Sequence, residues 1–159
     1  MKKVAIVMGS TSDWPVMKEA CILLEEFGIT YARDVVSAHR TPHHLFNFAT
    51  TAKSLGRQVI IAGAGGAAHL PGMIASLSPL PVIGVPIKTS KLSGVDSMLS
   101  IVQMPPGIPV ATMAINGAKN AALFAIAILA TTDEDIAKKL EIYRQKQTEF
   151  VMDNRKLTI

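Results

Sequence analysis

Cysteine, aromatic side chains and charge are all scarce in this sequence, and each shortage excludes a class. The single cysteine, Cys21, rules out a disulfide framework and any C-x-x-C motif. It falls with Met17 and Leu24 on one helical face, which reads as a core thiol. Aromatics make up 5% of the chain, and the basic C-terminal stretch offers only Tyr143 and Phe150 for stacking on bases. Charged residues are 18%, below the ~25% usual in soluble domains, which favours an associating chain over a monomer. The longest apolar run, Ala121–Ala130, is half of the ~20 residues a spanning helix needs. Lys2 and Lys3 lead into the apolar Val4–Met8, but Gly9-Ser10-Thr11-Ser12-Asp13 breaks that run too early for a secretion signal. The expectation is a cytoplasmic protein with no membrane partner.

What is present points to a folded domain. Hydrophobic residues supply 49% of the 159, enough to offset the ordering entropy that keeps polar chains disordered. One domain is expected over 1–159, with a core at 3–130 and a last helix at about 132–151. Net charge is +4, from 16 Lys+Arg against 12 Asp+Glu. Much of the excess (Lys138, Lys139, Arg144, Lys146, Arg155, Lys156) is spread along the C-terminal stretch as a solvated helix face. Nucleic acid is therefore not an expected partner, whereas a small anionic substrate suits a mildly basic protein.

Strand and helix patterns alternate. Val4–Met8 is wholly apolar, as a strand buried on both faces should be. Ser12 or Asp13 can cap the following helix, which Gly28 ends, with Met17, Ala20, Cys21, Leu24 and Phe27 on its apolar face. A second strand runs to about Val36, and Thr41 caps a helix with Pro42 in its first turn. Further strands are expected at Val59–Ala62, Val82–Val85 and Val110–Ile115, with helices near 69–77, 94–103 and 117–130. Thr131-Thr132-Asp133-Glu134 matches a capping box for the last helix. Repeated strand–helix units with five strands predict an α/β fold, a flavodoxin-like three-layer α/β/α sandwich around a parallel sheet, with an extra C-terminal helix.

In such a sheet, ligands bind beyond the carboxyl ends of the strands. Those ends carry Gly9–Asp13, then Ser37-Ala38-His39-Arg40, then Gly63–His69, then Lys88-Thr89-Ser90 and Asn116-Gly117. Ser10 and Ser12 before a helix suit a phosphate, on which Arg40 can close. Asp13 would repel phosphate but can accept hydrogen bonds from sugar hydroxyls; the bland alternative is helix capping. His39 is a natural proton carrier near neutral pH. A metal site built from His39, His43 and His44 is disfavoured, because His39 lies outside the helix that holds the other two. Gly63-x-Gly65-x-x-Ala68 fits a relaxed dinucleotide fingerprint, but no acid stands about twenty residues on, and the glycines follow the third strand. They read better as clearance for a flat ring near the main chain, with His69 at the next helix start. There is no G-x-S-x-G elbow and no phosphate-binding G-x-x-x-x-G-K-[ST] loop. Proton transfer or carbon–carbon chemistry on a small phosphorylated compound remains.

The stretches Met8–Trp14, Val36–Pro42, Ala62–Met73, Gly84-Val85-Pro86, Leu92–Ser97 and Gln103–Val110 resemble, in order, the motifs of the N5-carboxyaminoimidazole ribonucleotide mutase (PurE) family. The resemblance spans about residues 3–130. It implies conversion of 5-(carboxyamino)imidazole ribonucleotide to 4-carboxy-5-aminoimidazole ribonucleotide in a homo-octamer, with no ATP, metal or organic cofactor. It further implies His39 as general acid/base, and Ser10, Asp13 and Arg40 as nucleotide-binding residues; Ser12 and Ser37, at the same strand ends, are also expected to bind substrate. Gly65, Gly66 and His69 match the loop around the base and carboxylate. Many members have a longer Gly/Ala stretch where this chain has Ala114–Ala121, so a differently shaped loop is expected there. The alternatives are the related aminoimidazole ribonucleotide carboxylase, which tends to have Lys after this His, and a non-enzymatic nucleotide-binding module.

Overall fold

All five residues of β1 (Val4–Met8) are buried, because strands lie on both sides of it and helices cover its faces. The computed structural model describes residues 2–157. Beside β1 lie β2 (Tyr31–Val35) and β3 (Val59–Gly65); β4 (Val82–Ile87) and β5 (Ala111–Thr112) follow outward. All four pairings are parallel and the order is β2-β1-β3-β4-β5, so the fold is the expected flavodoxin-like one. The helices are α1 (Trp14–Glu26), α2 (Pro42–Thr51), α3 (Leu70–Leu77), α4 (Val95–Val102), α5 (Ala118–Ala130) and α6 (Glu134–Asp153). Two compact units are distinguished, with the boundary after Ala125, inside α5. The first holds the whole sheet and α1–α4; the second is built of the end of α5 and α6.

The apolar face read from the α1 sequence is the buried one: Met17, Ala20, Cys21, Leu24 and Phe27 are all within the core. Burial pushes the Cys21 thiol above its ordinary pKa, in keeping with a packing role. Across the sheet, Ala5, Val7, Ile60 and Ala62 pack with Leu45 and Ala49 of α2 and Leu70 and Ile74 of α3.

Several boundaries differ from expectation, each for a visible reason. β3 continues to Gly65, because its ladder with β4 runs on to the Gly65–Ile87 pair. Gly63 is thus a strand residue: a Cβ there would lie 2.3 Å from Sδ of the fully buried Met17, so its bareness makes room for α1. β5 shrinks to two paired residues, although Met113 N–H still donates to the Gly84 carbonyl. The capping box at 131–134 does not form. Asp133 occupies the N-cap and its carboxylate accepts from Ile136 N–H at 3.3 Å. The Thr131 hydroxyl instead donates back to the Ile128 carbonyl of α5 at 2.7 Å. Ser10 and Asp13 form the reciprocal box instead, around the 3-10 turn Thr11–Asp13. Neither Asp13 nor Thr41 caps its α-helix through its side chain.

Candidate active site

The strand order reverses between β1 and β3, and the crevice at such a switch point is where this architecture binds ligands. Here the Gly9 N–H donates to the Gly63 carbonyl across the floor of the crevice, at 3.1 Å. Above it opens a cleft of about 820 Å³. Ser10, Ser12, Asp13, Ser37, His39, Arg40, Gly65, Gly66 and His69 all line it. The structure therefore brings every residue singled out for substrate or proton transfer to one place. His43 and His44 do not join them. Both are exposed in the first turn of α2, where His44 Nε2 lies 2.8 Å from Asp34 of β2. That carboxylate is near only through the β1–β2–α2 topology.

Into the cleft, the turn after β1 presents hydroxyls and a buried acid. Ser12 donates through its N–H (3.3 Å) and its hydroxyl (3.0 Å) to Ser10 Oγ, while Asp13 Oδ2 accepts from Ser10 N–H at 3.2 Å. Burial is the main influence on Asp13 and raises its pKa above the ordinary carboxyl value. The Ser10 and Gly9 N–H groups, the Ser12 side chain and the Arg40 charge oppose that rise. Arg40 reaches in from the next loop: Nε donates to Ser37 Oγ at 2.9 Å and one terminal nitrogen to the Gly9 carbonyl at 3.1 Å. This fixes the guanidinium over the Gly9–Asp13 turn with donors to spare. Ser37 is itself locked, its N–H donating to Thr41 Oγ1 and its carbonyl accepting from the same hydroxyl.

In the same cleft His39 meets His69. Nε2 of His39 and Nδ1 of His69 are 2.8 Å apart, and the rings stand edge to face with centroids at 4.9 Å. One nitrogen of the pair must hold a proton and the other a lone pair, so the two tautomers are coupled. The same cleft is lined by Gly65 and Gly66. Gly66 has φ +68, and a Cβ there would meet nothing within 4 Å. Its glycine is explained by backbone conformation and by open cleft, not by internal packing.

These features coincide with an established family. A family model described as AIR carboxylase matches residues 3–150. The chain belongs to the AIR carboxylase family. Within it, the sequence is 58% identical to the N5-carboxyaminoimidazole ribonucleotide mutase of Thermotoga maritima over 96% of this chain and 90% of that protein. It is 61% identical to the enzyme of the same name from Pyrococcus abyssi, over 91% of this chain and 83% of that protein. A solved Treponema denticola PurE structure superposes with TM-score 0.87 at 29% identity, covering 95% of this chain and 94% of that one.

Other cleft residues stand at a strand end marked in the sequence but were given no role there. Lys88, Thr89 and Ser90 line the wall beyond β4. The Lys88 N–H donates to Asn116 Oδ1 at 2.8 Å, and the Asn116 N–H donates to the Pro86 carbonyl, so the turn after β5 braces the end of β4. The strand-end position of Lys88-Thr89-Ser90 was a usable signal for this family member. Ser97, Ser100 and Asp96 stand behind the wall on α4; Asp96 and Ser97 fall in the Leu92–Ser97 motif, but no pattern there assigns them to the β3 and β4 ends.

Proposed function

We propose that the chain is an N5-carboxyaminoimidazole ribonucleotide mutase, an isomerase of purine biosynthesis. It converts 5-(carboxyamino)imidazole ribonucleotide into 4-carboxy-5-aminoimidazole ribonucleotide. The observation that carries this reading is the hydrogen-bonded His39–His69 pair lining the same cleft as the Ser10–Asp13 turn and Arg40, in a chain 58% identical to a curated mutase.

In this reading Ser10, Ser12, Ser37 and Arg40 hold the phosphate, and Asp13 accepts from the ribose hydroxyls. Gly65 and Gly66 lie against the base, with His69 beside its carboxylate. The carbamate N–C bond breaks, its electron pair stays on nitrogen, and carbon dioxide is released inside the cleft. The neighbouring ring carbon then attacks that carbon dioxide and forms the new C–C bond. His39 takes the proton from this ring carbon and returns it to the exocyclic nitrogen. Atoms and charge balance within one molecule, and the redox-neutral shift calls for no cofactor. Small Gly and Ala surfaces suit retention of an apolar gas and exclude water from it. His69 holds His39 in one tautomer and orientation through their shared hydrogen bond.

The whole chain serves as one functional domain in a cytoplasmic homo-octamer, with no nucleic-acid partner. Low charge and exposed large side chains such as Phe46, Leu99 and Phe150 support association. Direct carboxylation of aminoimidazole ribonucleotide is not favoured: Arg40 rather than Lys follows His39, and the curated relatives are named as mutases. His39→Asn is expected to lower turnover ~10²–10⁴-fold, the usual share of general acid–base catalysis. Binding of the product nucleotide should persist. Undiminished turnover in that variant would remove His39 from its role, and binding without turnover in the unsubstituted chain would favour a nucleotide-binding module.

A further inference from the structure

Helix α4 braces the Gly66 wall of the cleft with hydroxyls that have no part in the chemistry above. Ser97 has no exposed surface. Its Oγ accepts from the Gly66 N–H at 2.9 Å and donates to the Ile87 carbonyl at 2.6 Å. One side chain thereby fixes both the turn leaving β3 and the end of β4. Ser100, nearly one helical turn on, places its Oγ 3.2 Å from the Gly66 carbonyl and 2.8 Å from the Asp96 carbonyl. The Gly66 N–H is held by α4, and its C=O accepts from the Ala68 N–H at 2.8 Å and shares the Ser100 hydroxyl proton with the Asp96 carbonyl.

Gly66 needs such anchors. It has the left-handed φ of +68, and around the position of a Cβ there is only open space. No side-chain packing holds it in place, so its hydrogen bonds do. With its N–H turned toward Ser97, the peptide presents a fixed wall to the cleft.

We propose that Ser97 is a positioning residue that keeps the Gly66 wall closed while carbon dioxide passes from nitrogen to carbon. This rests on the mutase reading. When the wall loosens, carbon dioxide escapes before recapture. The carbamate N–C bond has then broken, nitrogen retains the electron pair and takes a proton from water, and aminoimidazole ribonucleotide leaves as a free by-product. Removing Ser97 Oγ leaves both the Gly66 N–H and the Ile87 carbonyl without their partner.

The test uses the full chain with Ser97→Ala, Ser97→Thr and Ser100→Ala, supplied with 5-(carboxyamino)imidazole ribonucleotide. Both aminoimidazole and 4-carboxy-aminoimidazole ribonucleotides are quantified, corrected for loss without protein. Their ratio per turnover does not depend on how much of the preparation is folded, so a merely structural role leaves it unmoved. Ser97→Ala is expected to raise the by-product share roughly tenfold, with kcat for the mutase reaction falling more than KM changes. Ser97→Thr, which retains the hydroxyl, should return the ratio toward that of the unsubstituted chain, and Ser100→Ala should shift it in the same direction by less. An unchanged ratio in Ser97→Ala overturns the proposal; if that variant does not fold, an unchanged ratio in Ser100→Ala does so. An unsubstituted chain that makes no 4-carboxy product overturns the mutase reading instead.

Discussion

Asp13 is the buried carboxylate of the cleft, and its environment sets up a pH dependence with a definite sign. Burial raises its folded pKa above the ordinary 3.8, so ionisation costs the folded state. The stability its protonated form contributes is complete below 3.8 and is lost as pH rises through the folded value. Asp13→Asn keeps an oxygen for the Ser10 N–H but carries no charge. Its thermal midpoint at pH 7 is expected to exceed that of the unsubstituted protein, the two converging as pH drops below 3.8, while nucleotide affinity falls with the lost ribose acceptor. A lower midpoint at pH 7 with unchanged affinity would contradict both statements. Gly63 carries a second residue-level prediction. Its Cβ-free backbone lies against Met17, so Gly63→Ala overpacks the α1–β3 contact and should cost about 1–3 kcal/mol in urea unfolding. The same residue marks a limit of sequence reading: the Gly63-x-Gly65 pattern suggested ligand clearance, but only the β3–α1 packing shows that Gly63 serves the core. Ser10, His39, Arg40 and His69 were legible, because apolar runs end abruptly and the polar residues that follow must sit on the sheet's carboxyl edge. Ser97 was not, since a serine on a helix face carries no local mark of the β3 and β4 backbones it joins.

At the scale of elements, strands flanked by helices were readable from apolar runs, whereas their ends depended on partners. β3 outlasts its apolar core because β4 offers a ladder as far as Ile87. β5 is shorter than its apolar stretch because it pairs with β4 alone, over two residues. The start of α6 turned on a competition between caps: the threonine hydroxyls reach back to α5 carbonyls, which leaves Asp133 to satisfy the new helix. Asp133→Ala should therefore destabilise α6 by about 1 kcal/mol, read as faster amide exchange in its first turn. Thr131→Ala should leave those amides unaffected; the reverse ranking would restore the capping box.

For the whole molecule, the scarcity of charge noted in the sequence has a counterpart on the surface. Val95, Leu99 and Val102 follow one another at i, i+4 and i+7 along α4, and all are exposed in the single chain. Such a stripe suits burial between subunits. Native mass spectrometry is expected to find eight copies of the 17.0 kDa chain, and a monomer at micromolar concentration would contradict the proposed assembly. In the proposed mutase reaction one carboxyl group passes from nitrogen to carbon within the same substrate molecule. Supplying the purified protein with 5-(carboxyamino)imidazole ribonucleotide labelled in its carboxyl carbon, without bicarbonate, should give 4-carboxy-5-aminoimidazole ribonucleotide carrying the label. Turnover only from aminoimidazole ribonucleotide plus bicarbonate, with the labelled carbamate left unconverted, would contradict it.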